Sequence, residues 1–375
     1  MFTPTGTGGH ARYTWELCHA LAGVLGPDNL TLVTSSDLDP GFRSSAYAII
    51  DQLPAIRHKR HFSSRLAWAL DRLLHYPRRD FAFLRILMQM PNRPAIVHLQ
   101  ELTPFYGTVF ISLVRLLGCR CVMHVHNVLP HKPLPVLGRR GTRWLMRQAY
   151  RGLDAAIVHS TGLASAYREL AGRRCRVHIA AHGVWTSDTL ERPRPVADVG
   201  FVGVIRPNKG LHLLLDALTL LQPNSLAIAG EVVDTSYIKA QIEPRIERLR
   251  ALGWSVSFHG KSLSESDFRR AIASVRCMTM PYTDFHAQSG ILLDCIAART
   301  PVVVTPAGAL AETVRKFAIG VVARDLSPAA IAEALASVLG SNQTFSRALE
   351  VAAQELTWDR AAEATRRCYQ AVESG

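Results

Sequence analysis

The sequence has no run of 18 or more apolar residues, and its stretch Leu17 to Leu25 is interrupted by Cys18 and His19. No membrane-spanning helix is therefore expected. Met1-Phe-Thr-Pro lacks the basic start and long apolar run of a secretory leader, which sets the expectation of a cytoplasmic chain. Cysteine is scarce and scattered: seven residues, none in a Cys-x-x-Cys pair. That speaks against a disulfide framework, and Cys119-Arg-Cys121 is too closely spaced for zinc, so reduced, buried thiols are expected. Acidic residues are scarce in one half only. Residues 1–190 carry 23 Lys and Arg against 11 Asp and Glu, a net of +12, whereas residues 191–375 carry 20 against 19. The first half is thus suited to an acidic partner: nucleic acid, anionic lipid or a phosphorylated substrate. No RNA- or DNA-binding motif accompanies the charge, which argues against nucleic acid.

At 375 residues the chain is long enough for two or three domains. Short apolar runs at 29–34, 94–99, 121–126 and 154–159 alternate with helical patterns, the mark of an open parallel sheet. The stretch 186–196, with two prolines and little apolar content, reads as a linker. The alternation restarts beyond it, with strands expected at 199–203, 226–230, 256–260, 275–280, 301–305 and 320–323. The expected domains are 1–190, 191–356 and a terminal helix over 357–375.

Two segments carry the excess charge. In 57–88, Arg57, Lys59, Arg60, Arg65, Arg72, Arg78, Arg79 and Arg85 are interleaved with Leu66, Trp68, Leu70, Leu73, Leu74, Phe81, Phe83 and Leu84. Such a segment suits an anionic membrane surface, or forms a helix pair with a solvated basic face, broken at Pro77. Arg139 to Arg151 adds five arginines with no acid between them.

Four places could hold chemistry. Gly8 and Gly9 open a helix, where backbone N–H groups can meet an anion. Arg206 and Lys209 stand between a strand end and a helix, bracketed by Gly203 and Gly210, placed to clamp a diphosphate. The loop around His286, Gln288, Ser289 and Gly290 opens an apolar helix in which Asp294 sits one turn along, able to accept bonds from sugar hydroxyls. His126 lies at a strand end, where open α/β sheets place ligands. It shares a face with His124, and no third ligand for a metal is evident beside His131.

Taken in order, Thr7–His10, Val122–His131, Ile179–Gly183, Phe201–Gly210, Leu226–Glu231, Ala297–Val304, Gly308–Glu312 and Leu356-Thr-Trp358 resemble the GT-B glycosyltransferases, specifically the retaining family 4 group, over nearly the whole chain. The resemblance implies two Rossmann-like domains facing each other across a cleft, with the acceptor on the first and a nucleoside diphosphate sugar on the second. The base, UDP or GDP, stays undetermined. It implies that Arg206 and Lys209 hold the diphosphate without a metal, that the Gly8-Gly9 loop closes over the phosphate, and that His126 lies near the donor sugar. The terminal helix would return to the first domain. The family's two glutamates, separated by seven residues, are here replaced: His286 stands at the first position and Asp294 at the second, so Gln288 would supply the sugar contacts. A lipid-linked or polysaccharide-precursor acceptor is expected, with the basic first domain resting on the cytoplasmic face of the inner membrane. A sugar-nucleotide epimerase and a catalytically silent sugar-nucleotide-binding protein are the alternatives.

Overall fold

The computed structural model describes residues 1–57, 62–103, 105–130, 137–172, 175–185, 193–283, 288–306, 308–340 and 345–374. The expected contributions of Lys59, Arg60, His131, His286 and most of the 186–196 linker lie outside them. The chain divides into two compact units: Met1–His182 with Trp358–Gly375, and Gly183–Thr357.

Unit 1 contains β1 (Thr31–Ser35), β2 (Ala48–Leu53), β3 (Ile96–Leu99), β4 (Arg120–His124), β5 (Ala155–Val158) and β6 (Arg176–Ile179), and helices α1 (Gly8–Leu25), α2 (Arg65–Gln89), α3 (Gly107–Leu116), α4 (Gly138–Arg151) and α5 (Thr161–Ala171). The strands pair in parallel as β2-β1 and β3-β4-β5-β6, and the single residue Phe2 bridges Val33 of β1 and Leu99 of β3. All four residues of β5 are buried, as expected for a strand covered on both faces. Helix α1 buries Tyr13, Thr14, Leu17, Cys18 and Leu21 at the three- and four-residue spacing of one helical face. Ser160 starts α5 by accepting a bond from the Leu163 N–H.

Unit 2 contains β7 (Ala197–Val202), β8 (Ser225–Ala229), β9 (Ser255–His259), β10 (Val275–Met280), β11 (Val302–Val304) and β12 (Gly320–Val322). Its helices are α6 (Leu211–Leu218), the single turn α7 (Thr235–Tyr237), α8 (Glu243–Ala251), α9 (Glu265–Ala273), α10 (Gly290–Ala297), α11 (Gly308–Phe317), α12 (Pro328–Gly340) and α13 (Ser346–Glu355). The sheet is parallel in the order β12-β11-β10-β7-β8-β9. Val199, Phe201, Leu214, Leu218, Ile228 and Leu335 are among the residues that close its core at 0 to 1% exposure. Both units are Rossmann-like α/β layers, the architecture the alternating pattern predicts.

After unit 2 the chain returns as α14 (Trp358–Glu373), which packs on α1, β5 and β6. It buries Ala361, Ala362, Thr365 and Cys368. No helix among the described residues is long and apolar enough to cross a membrane. Six cysteines are buried and Cys175 half-buried, all as free thiols.

Two expectations are corrected. Pro77 does not divide the basic segment; α2 runs through it as one helix of 25 residues. Proline removes one N–H donor, and the packing of the remaining turns outweighs that loss. Arg79 is not part of the solvated basic face. It is 1% exposed, donating to Asp80 at 2.8 and 3.0 Å and to Thr103 Oγ1 at 3.0 Å. Its guanidinium also lies over the rings of Phe2 and Tyr76. Burial raises the Asp80 pKa and Arg79 opposes that rise.

Candidate functional site

In unit 2, the strands β7, β8 and β9 progress to one side of the sheet, and β10, β11 and β12 to the other. The adjacent pair β7 and β10 is therefore the topological switch point, where the following loops diverge and leave a crevice beyond the strand ends. Arg206 and Lys209 follow β7; Gln288, Ser289 and Gly290 follow β10. Thr283 N donates to Asn208 O at 3.1 Å, tying the two loops together. The structure thus brings together groups that lie about 80 residues apart in sequence.

The turn from Arg206 into α6 leaves no room for a side chain at residue 210. Gly210 has φ +66°, and a Cβ there would lie 1.8 Å from Pro281 O. That close approach holds the β7 and β10 loops in contact. Lys209 Nζ sits 3.6 Å from the centre of the buried Tyr282 ring. Burial, with the neighbouring Arg206 guanidinium, pushes the Lys209 pKa down to about 7. Arg206 is half-buried, and its Nε is buried with no hydrogen-bond partner among the described residues. A buried, unpaired donor on a charged group costs free energy unless a ligand supplies the acceptor.

Ser289 is the N-cap of α10 but its hydroxyl caps no N–H, so the first-turn amides keep the partial positive charge of a helix start. Gln288 is tied to Thr313 of α11 at 3.4 Å. Asp294 is 8% exposed within α10.

Unit 1 has its own switch point. Phe2 stands between β1 and β3, and the chain leaves it toward Gly8 and Gly9 at the start of α1. Gly8 has φ +79°, and neither glycine has anything within 4 Å of its Cβ position, so this backbone is open to close approach.

His126 belongs to an array of rings that the sequence reading did not assemble. His98, His124 and His159 lie at the carboxyl ends of three adjacent strands, β3, β4 and β5. Tyr13 OH meets His124 Nε2 at 2.9 Å, His124 Nδ1 meets His98 Nε2 at 2.8 Å, and His98 Nδ1 bonds Tyr369 OH. A second chain links Gln100 to His126 Nε2 at 3.1 Å, His126 Nδ1 to His159 Nε2 at 3.0 Å, and His159 Nδ1 to Ala180 O at 3.0 Å. The Ala180 carbonyl can only accept, so His159 carries its proton on Nδ1 and accepts at Nε2 from His126 Nδ1–H. His126 Nε2 is then a lone pair facing the Gln100 amide, and turning the Gln100 NH2 toward it gives up the donation of that NH2 to Met1 Sδ at 3.0 Å, a weak acceptor. Burial, then the neighbouring imidazoles, hold His124 and His126 well below the usual histidine pKa. Burial does the same for His98, and lowers His159 to about 4. The signal in the sequence was three strands of this unit with histidine at or next to their last residue. Among the described residues no group of three His, Cys, Asp or Glu side chains could hold a metal ion.

Residues 7–188 match the family profile described as Glycosyltransferase Family 4, and residues 197–341 that of Glycosyl transferases group 1. Glycogen synthase of Mycobacterium tuberculosis is 25% identical over 405 aligned positions, covering 100% of this chain and 94% of the relative. Among solved structures, sucrose-phosphate synthase from Thermosynechococcus elongatus superimposes with a TM-score of 0.75 at 18% identity, covering 99% of this chain and 96% of that one. Anabaena HepE in complex with UDP gives 0.72 at 15% identity, with coverages of 99% and 98%.

Proposed function

Because the chain belongs to the GT-B glycosyltransferases of the group 1 and family 4 kind and acts on a nucleotide-sugar donor, we propose that it transfers the sugar with retention to the hydroxyl of a lipid-linked or polysaccharide-precursor acceptor. The observation that carries this reading is the pair Arg206 and Lys209 beside the start of α10 at the β7/β10 switch point. Two cations and a helix start make a site for a diphosphate, and they stabilise the charge that develops on it as it leaves. That supports a metal-free departure. In the step, the acceptor oxygen bonds to the anomeric carbon as the bond from that carbon to the phosphate oxygen breaks. The acceptor proton passes to the departing phosphate, on the same face. Gln288, Asp294 and His286 are proposed for the sugar and ribose hydroxyls, His126 for the neighbourhood of the reacting sugar, and the open Gly8-Gly9 backbone for a phosphate group.

A screen of UDP-, GDP- and ADP-sugars by thermal shift, followed by product analysis, tests this. One nucleotide class is expected to stabilise the protein, and the product is expected to keep the anomeric configuration of the donor. Inversion at the anomeric carbon would overturn retention; free epimerised sugar, or binding without turnover, would overturn transfer.

An anionic membrane as the acceptor's location is supported by the surface of unit 1. Helix α2 exposes Leu70, Leu74, Phe81 and Met88 beside Arg78 and Arg85. Helix α4 exposes Trp144 among Arg139, Arg140, Arg143 and Arg147, and α3 packs against both helices. Apolar side chains beside basic ones suit the interface of an anionic bilayer. Changing Arg78, Arg85, Arg140 and Arg147 to glutamine is expected to reduce co-sedimentation with phosphatidylglycerol vesicles at least about tenfold, at roughly 1 kcal/mol per basic residue. Unchanged sedimentation would reject this surface.

A further inference from the structure

Tyr282 stands just beyond β10 and is 1% exposed. Its backbone is fastened to two neighbouring segments. Thr305, just past β11, donates from Oγ1 to Tyr282 O at 2.6 Å. On the other side the β7 loop closes on it: Gly210 packs against Pro281 O, and Thr283 N donates to Asn208 O. Lys209 ends the short turn Pro207–Lys209 of that loop, and its Nζ lies 3.6 Å from the centre of the Tyr282 ring. That is well inside the range of about 6 Å over which a ring face attracts a cation. Burial raises the Tyr282 pKa, against a hydrogen bond with Ser289 at the start of α10. The phenol therefore stays neutral, and one side chain touches both the lysine and the helix start.

The neutrality of the ring matters. A carboxylate beside Lys209 would hold the ammonium and cancel its charge, and an incoming diphosphate would have to displace it. A ring face attracts through its quadrupole and carries no net charge. The pair keeps its full positive charge for an anion. Lysine also carries its ammonium on a flexible four-carbon stem, so a contact made before the anion arrives lowers the cost of ordering it. Burial and the Arg206 guanidinium both favour the uncharged amine, and the ring opposes them.

We propose that Tyr282 is a positioning residue for sugar transfer: its ring face holds the Lys209 ammonium charged and in place beside the start of α10. This rests on the reading of the β7/β10 crevice as the diphosphate site. Tyr282 acts through Lys209, and its own hydroxyl takes no part in the chemistry.

The test weakens the ring face without emptying its place. Tyr282→Phe keeps the face, and mono-, tri- and pentafluorinated phenylalanine at the same position withdraw its electron density stepwise with little change of volume. The chain has six lysines, so the titration of Lys209 can be followed by NMR with lysine carbon-13-labelled at its ε-position, and Lys209→Arg assigns the signal. In Tyr282→Phe the midpoint is expected to stay at about 7, as in the parent protein. It is expected to fall by about one pH unit from there to the pentafluorinated ring. Inorganic pyrophosphate is expected to raise the midpoint in every variant. Its Kd at pH 8 is expected to weaken about tenfold across the series, because each pH unit lost from the midpoint removes about nine-tenths of the charged amine. A midpoint indifferent to fluorination would overturn the role of Tyr282, whatever pyrophosphate does. A midpoint that follows fluorination but ignores pyrophosphate would leave the ring contact standing and overturn the diphosphate reading, and with it the part of Tyr282 in transfer.

Discussion

Changing Arg206 to alanine is expected to lower kcat/KM for sugar transfer by about 10²–10³-fold, the usual loss when one donor to a developing anion is removed from a preorganised site. The fold should survive, because the Arg206 Nε has no hydrogen-bond partner among the described residues and its removal breaks no internal bond. Stability is expected to stay within about 0.5 kcal/mol. Lys209→Ala should match it in activity. The lysine adds a pH signature. With its pKa at about 7 in the free protein, Lys209 is part-charged at neutral pH, and a bound diphosphate raises that pKa. Donor affinity is then full below about pH 7 and declines as pH rises above it. Removing the Arg206 charge relieves one of the two causes of the depressed pKa, so in Arg206→Ala the decline should begin at higher pH. Isothermal titration of the donor nucleotide across pH 6 to 9 measures both effects. Normal turnover in both variants would sink the diphosphate assignment, and a flat pH profile would sink the role of Lys209.

Unit 1 is expected to lose stability steeply as pH falls below about 6.5. His98, His124 and His159 are 2%, 0% and 8% exposed, and burial holds all three below the usual histidine pKa of 6.5. The unfolded chain therefore binds protons that the folded chain does not, and stability rises with pH until the unfolded imidazoles are neutral. Each such group contributes a slope of about 1.4 kcal/mol per pH unit below about 6.5, so three give about 4. A net stability of about 5–15 kcal/mol is consumed within a few pH units at that slope. The His159 contribution ends near pH 4, where its own folded pKa lies. Thermal unfolding by near-UV circular dichroism between pH 7.5 and 4.5 isolates the imidazoles from the carboxylates, and hydrogen exchange in β4 and β5 assigns the loss to unit 1. A Tm that hardly moves over that range would mean the array carries no such linkage.

Much of this molecule was legible along the chain because its cause is local. Buried parallel strands appear as short apolar runs, and ten of the twelve strands among the described residues stand where those runs predict them. The two missed, β2 and β6, have burial patterns without a fully apolar run, including exposed residues at Ala48, Arg176 and Ile179. The same holds for the site. Arg206 and Lys209 between glycines at a strand end, and Ser289-Gly290 at a helix start, are local patterns with a chemical meaning.

The list of elements, and the chemical character of the loops that follow them, are therefore local properties of the chain. Which of those loops meet is a property of the fold. Strand order is set by pairing between segments far apart, so nothing near residue 206 in the chain shows that β10 will lie beside β7. Burial of a polar side chain is decided in the same way. Arg79 reads as one more surface cation until Asp80, Thr103, Phe2 and Tyr76 close around it. Four histidines at or just beyond the ends of their strands become two neutral hydrogen-bonded pairs, His98 with His124 and His126 with His159, once β3, β4 and β5 pair. In each case the free energy of the side chain depends on partners brought by the fold, and those partners are not its neighbours in sequence.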